Sequence, residues 1–161
     1  MFQEIFRQYP SLEYVPCDLA PAKYGPDVIK VNITDIPLED DFFDVVLCNH
    51  VLEHVPDDRK AMTELFRVMK PGGWGVLLVP VDRERETTFE DPSITSPADR
   101  LKAYGRKDHV RWYGRDYGDR LRSVGFEVRE WDPAADMSEA NRNRYGFRMG
   151  EWFTVVSKPA S

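Results

Sequence analysis

The chain of 161 residues holds only two cysteines and three histidines. Cys17 and Cys48 stand far apart, each at the end of an apolar stretch, where a free thiol behaves as a small hydrophobe. They allow at most one disulfide, which excludes a scaffold built on bridges. His50 and His54 are four apart and can share a helical face. Their spacing brings no third or fourth ligand with it, so no metal site is expected. No apolar run approaches the roughly 18 to 20 residues of a membrane span. Met1 to Tyr9 is charged and amphipathic, without the apolar centre of a secretory signal, so a cytoplasmic location and no membrane partner are expected. A G-x-G-x-x-G fingerprint and a Tyr-x-x-x-Lys pair are both missing, which argues against a nicotinamide dehydrogenase. Repeats, low-complexity tracts and linkers are likewise missing.

What is present suits a single domain over residues 1–161. The length allows a sizeable core, and 42% hydrophobic residues with 12% aromatics are those of a globular chain. The net charge of -6 is unevenly spread. Asp35, Glu39, Asp40, Asp41, Asp44, Glu53, Asp57 and Asp58 crowd one stretch, whereas basic residues prevail between Arg100 and Arg122. The acidity argues against nucleic acid as a partner. The basic stretch can meet an anionic substrate or form a solvated helical face.

Phe2, Ile5, Phe6 and Tyr9 recur at helical spacing, and Pro10 ends the pattern. Short strands are expected at Leu12–Val15 and Val28–Val31. A third at Phe43–Leu47 is almost wholly apolar, as when helices cover both faces. Asp57 or Asp58 caps a helix whose buried stripe is Ala61, Met62, Leu65, Phe66, Val68 and Met69. Gly72-Gly73 turns it into a strand at Trp74–Val79. Residues 81–97 form a long polar loop, Ala98–Tyr104 a short helix, and Tyr117, Leu121 and Val124 mark another that Gly125 closes. Phe126–Trp131 and Trp152–Val156 alternate as a closing antiparallel pair, with loop or weak helix between them. Strands alternating with helices predict an α/β fold with a doubly wound, mostly parallel sheet.

The run Phe42-Phe43-Asp44-Val45-Val46-Leu47-Cys48-Asn49-His50-Val51-Leu52-Glu53-His54-Val55, followed by Leu65-Phe66-Arg67-Val68-Met69-Lys70-Pro71-Gly72-Gly73, resembles the class I S-adenosylmethionine (SAM)-dependent methyltransferases. The branch is the one with HVLEHV and LKPGG-type signatures. Thr88 to Pro92, Gly105 to Tyr117 and Asp119 to Phe126 look like a subfamily carrying TxEDP, G-x-x-DHVR-x-YG and RL-x-x-x-GF. The resemblance implies a Rossmann-like fold, SAM as cofactor, a small-molecule substrate and residues 81–115 as an insert on the substrate side.

It also implies roles for residues at the carboxyl ends of strands, where open parallel sheets bind ligands. Asp18, with Leu19 beside it, matches the acidic position that accepts both ribose hydroxyls; a turn or helix cap is the alternative. The loop Asn32-Ile33-Thr34-Asp35-Ile36-Pro37 matches the adenine-binding segment, with Asn32, Ile33 and Asp35 as its candidates. Asn49 and His50 would line the methyl-transfer cleft. His50 can take a proton from a substrate or serve as a helix-start hydrogen bond. Asp108 can orient His109, a second candidate base, and Arg111 can clamp an anionic substrate group. The alternative for these three is an internal network pinning the long loop onto the sheet. Glu53 and His54 are expected to serve structure.

The family opens with a strand, a glycine-rich turn and a helix that cradle the methionine end of SAM, and nothing here matches them before the first helix. The missing strand is the central one, so its two neighbours must pair with one another, borrow a strand from another chain, or belong to a longer gene. Truncation would weaken SAM binding, and the exposed strand edge implies a homodimer. A non-catalytic binding or assembly module with the same fold is the rival reading.

Overall fold

In the computed structural model, residues 2–160 are described; Met1 and Ser161, the ends of the expected domain, lie outside the described residues. The organising unit is β3 (Phe43–Asn49), α2 (Asp58–Val68) and β4 (Met69–Leu78), with β3 and β4 parallel and joined through the helix. Asp57 caps α2 by accepting the Lys60 backbone N–H at 3.0 Å. Ala61, Met62, Leu65 and Val68 are buried, and this stripe binds the helix to the sheet. Gly75 has no room for a side chain, since a Cβ there would lie 2.6 Å from the Val46 carbonyl oxygen. Its hydrogen thus lets β4 close on β3.

β7 (Glu127–Trp131) and β8 (Phe153–Ser157) complete a four-stranded sheet in the order β3-β4-β8-β7, with β8 antiparallel to both neighbours. The closing antiparallel pair thus stands where the alternating residues put it. α4 (Tyr117–Arg122) contributes Tyr117 and Leu121 to a core shared with Leu52, Met62, Met69, Leu77 and Tyr113. α1 spans Phe2–Phe6.

Several expectations need correction. Leu12–Val15 forms no strand; pairing is confined to β1 (Cys17–Asp18) and β2 (Ile29–Lys30), which are parallel to one another. Cys17 is accordingly exposed, and only Cys48 is buried. The Pro16 ring allows no backbone donor there, so regular pairing starts late. β1–β2 is a separate two-stranded sheet that does not pair with β3, and β3 is an edge of the larger sheet. β3 is also not covered on both faces, since Val45 and Leu47 on one of them are 38% and 45% exposed. The stretch between β7 and β8 contains α5 (Glu139–Tyr145), capped by Ser138 and ended by Gly146 at φ 75°.

Residues 81–97, expected to be loop, contain a short strand, and the helix expected at Ala98–Tyr104 is present. β5 (Phe89–Glu90) pairs antiparallel with β6 (Arg111–Trp112), and α3 (Pro97–Tyr104) lies between them. This insert folds back onto the segment after β3, where the Val110 N–H donates to the Glu53 carbonyl at 2.9 Å.

Candidate functional site

The candidate cofactor residues follow the ends of three strands. Asp18 ends β1, Asn32 follows β2, and Asn49 ends β3. Asp18 Oδ1 accepts the Ala20 N–H at 2.6 Å, while its other oxygen has no hydrogen bond among the described residues. Leu19 is exposed beside it and Ile33 is half-buried. Asn32 Oδ1 accepts from the Thr34 N–H at 3.1 Å and the Thr34 hydroxyl at 2.9 Å. That turn occupies the amide oxygen, leaving the Asp35 carboxylate as the exposed acceptor in the loop.

The loop is tied to the core by two side chains of α2. Glu64 accepts the Ile36 N–H at 2.7 Å, and Arg67 donates to the Ile36 and Leu38 carbonyls, both at 2.8 Å. Arg67 also bonds Glu64, and this hydrogen bond holds the Glu64 carboxyl below the usual carboxylate range. Spacing marked neither residue. Only their place on the polar edge of an amphipathic helix hinted at a fastening role.

At the end of β3, the His50 N–H donates to the Leu78 carbonyl at 2.8 Å, and His50 takes φ 54°. A left-handed conformation is uncommon for a residue with a side chain and marks a sharp corner. The turn projects an exposed imidazole whose Nδ1 lies 3.3 Å from Glu53 Oε1. An open cavity of about 470 Å³ begins at this corner. His50, Glu53, His54 and Pro80 line one side, and Gly105, Arg106, His109 and Trp112 of the insert line the other.

The insert residues arrange differently from the sequence expectation. Asp108 does not orient His109; its carbonyl oxygen lies 3.1 Å from His54 Nδ1 and its carboxylate 3.6 Å. The His54 and His109 rings meet edge to face with centroids 4.8 Å apart. Burial pushes the His109 imidazole below its ordinary value, with neighbouring His54 adding to the effect. Arg111 is 2% exposed and donates to Glu90 and to the carbonyls of Leu52, Val55 and Pro56. With these donors engaged, it serves the internal network and is not free to clamp a substrate. Asp58, Tyr113, Arg120 and Glu90 belong to the same network.

Glu53 and His54, expected to be structural, therefore face the cavity together with His50 and His109. All three histidines of the chain meet there. The sequence separation of His109 from the other two concealed this meeting.

Residues 7–77 match the family model described as a methyltransferase domain. This stretch contains Asp18, the Asn32 loop and the Asn49-His50 corner. A protein of Mycobacterium sp. (strain KMS), named as an uncharacterized methyltransferase, is 31% identical over 141 residues, covering 84% of this chain and 54% of that protein. The chain thus spans about half the length of this relative. The ubiquinone/menaquinone biosynthesis C-methyltransferase UbiE of Vibrio campbellii is 42% identical over 45 residues, 28% of this chain and 17% of that one. Among solved structures, a SAM-dependent methyltransferase from Archaeoglobus fulgidus superposes with TM-score 0.61 at 17% identity, covering 98% of this chain and 80% of that chain. The [4+2]-cyclase SpnF superposes with TM-score 0.58 at 20% identity, covering 84% and 57%. Residues 7–77 are thus similar to methyltransferase domains, and the chain's α/β fold is the Rossmann-like one of the solved SAM-dependent methyltransferase from Archaeoglobus fulgidus.

Proposed function

We propose that this protein binds SAM along the strand ends at Asp18, Asn32–Asp35 and Asn49-His50, and transfers its methyl group to a small-molecule nucleophile in the adjoining cavity. The observation that carries this reading is the set of polar residues that follow three successive strands, half-exposed Asp18 and exposed Asp35, Asn49 and His50, within the region matched to the methyltransferase family.

The residues present fit the nucleoside part of the cofactor. The unengaged oxygen of Asp18 can accept ribose hydroxyls, Asp35 can accept from the adenine amine, and Leu19 and Ile33 offer apolar contact to the ring. When bound, SAM supplies an electrophilic methyl on a positively charged sulfur. The chain's own contribution is positional: His50, with Asn49 before it, forms the corner at the cavity, and the insert forms the opposite wall. His50 and His109 present ring nitrogens that can receive a proton from a substrate hydroxyl or amine.

Calorimetric titration with SAM and S-adenosylhomocysteine tests this reading. Saturable binding that Asp18→Ala abolishes supports it, and absence of binding at millimolar ligand overturns it. The exposed edge of β3 favours a second reading, a non-catalytic module whose sheet receives a strand from a partner, and the latter outcome would favour it. On either reading the β3 edge, with Val45 and Leu47 exposed, suits a homodimer.

A further inference from the structure

We infer that Glu53, His54 and His109 form a binding site for a first-row divalent transition ion of the zinc type, on the wall of the cavity beside His50. One ligand atom from each of the three lies within 4.8 Å of the others. Around a tetrahedral ion bound at about 2.0 to 2.2 Å, ligand atoms stand about 3.4 Å apart. Modest rotation of the side chains closes that difference.

Three independent features point to an ion. Glu53 is 2% exposed, and its Oε2 has no hydrogen-bond partner among the described residues. Buried carboxylate oxygens are seldom left in that state, because the lost hydration has to be replaced. A cation replaces it directly. The other oxygen, Oε1, is already engaged by His50 Nδ1 at 3.3 Å, so Oε2 is the atom left to ligate.

His54 is oriented as a metal-binding imidazole requires. Its Nδ1 lies 3.1 Å from the Asp108 carbonyl oxygen, which can only accept, so Nδ1 carries the proton. That leaves Nε2 with a free lone pair, the tautomer that a second-shell carbonyl enforces in metal sites. His109 is 9% exposed and has no hydrogen bond to another described residue, so its lone pair is free to ligate, and with an ion bound the proton-accepting role falls to His50 alone. Two imidazoles and one carboxylate favour zinc, cobalt or ferrous iron over calcium or magnesium, which prefer oxygen donors.

Three protein ligands leave one coordination position open toward the cavity. A substrate with an anionic or chelating oxygen would fill it, which would place the ion as its anchor a short way from the Asn49-His50 corner. The site joins the turn after β3 to the insert, so an ion would also fasten the insert over the cavity.

Metal-free protein titrated with Zn²⁺ in a calorimeter, and with Co²⁺ in a spectrophotometer, tests the assignment. One ion should bind per chain, and Co²⁺ should develop the intense visible bands of a low-coordinate site with nitrogen ligands. His54→Ala, His109→Ala and Glu53→Gln should each weaken binding ~tenfold or more, equivalent to about 1.4 kcal/mol. Mg²⁺ should not compete. Should a variant fold poorly by circular dichroism, the wild-type Co²⁺ spectrum decides alone. A spectrum no different from aqueous Co²⁺, affinity unchanged in folded His54→Ala and His109→Ala, or equal affinity for Mg²⁺ would overturn the assignment.

Discussion

The Tyr113 hydroxyl donates to Asp58 Oδ2 at 2.8 Å, and both groups are shielded from water. Arg120 Nη1 stands 3.1 Å from the same oxygen and Arg111 Nε 3.6 Å from it, so one carboxylate anchors two guanidinium groups and a phenol. Burial pushes the Tyr113 phenol well above its ordinary range, with the Asp58 charge adding to it, which keeps the hydroxyl a donor. Tyr113→Phe should cost about 1 kcal/mol, the worth of one hydrogen bond. Asp58→Ala should cost about 3 to 5 kcal/mol by leaving buried cations short of their counter-charge. Urea unfolding of both variants checks the order.

Gly75→Ala should destabilise the sheet by about 1 to 3 kcal/mol, since the new methyl would lie 2.6 Å from the Val46 carbonyl oxygen, a backbone atom that cannot swing aside. Gly72→Ala makes a useful comparison. It has open space, and its cost would come from φ 76° alone. Thermal melts should rank the sheet glycine as the more damaging site.

Stability should fall on acidification, with Glu64 as one contributor. Its folded value is depressed by the Arg67 hydrogen bond, so the contribution is complete above the ordinary glutamate value of about 4.3 and disappears as pH drops through the folded one. Glu64→Gln should flatten this part of the profile. Urea midpoints measured across the carboxylate range would show it.

On the proposed homodimer, Lys in place of Val45 or Leu47 should reduce self-association without unfolding the chain, because both side chains are already partly in water. Sedimentation equilibrium of each variant beside the native protein checks this. Equal association by all three would remove β3 from the interface.

Local periodicity carried most of the architecture. The α2 stripe, the Asp57 cap and the alternation in β7 and β8 each state their structure within a few residues. α5 gave no such signal: none of its residues is buried, so no apolar period marks it, and its caps at Ser138 and Gly146 are the only local trace. β5 and β6 are two residues each, too short for alternation to be read. The candidate cofactor residues Asp18, Asn32 and Asn49-His50 could be placed beside strand ends from the sequence, and the structure puts them there. The approach of His109 to His54 was not legible, because it depends on how the insert folds back, and Arg111's role turned on carbonyls that no side-chain pattern reveals.

β1 and β2 hold each other by a two-residue ladder, detached from the sheet that carries Asn49. So small a unit can open without the rest unfolding, and its amide protons should exchange with deuterium far sooner than those of β4. A molecule reaching from Asp18 to Asn49 would stitch the two pieces together. Its arrival should therefore register as slowed deuterium uptake around Ile29 and Val31, even before any turnover is detected.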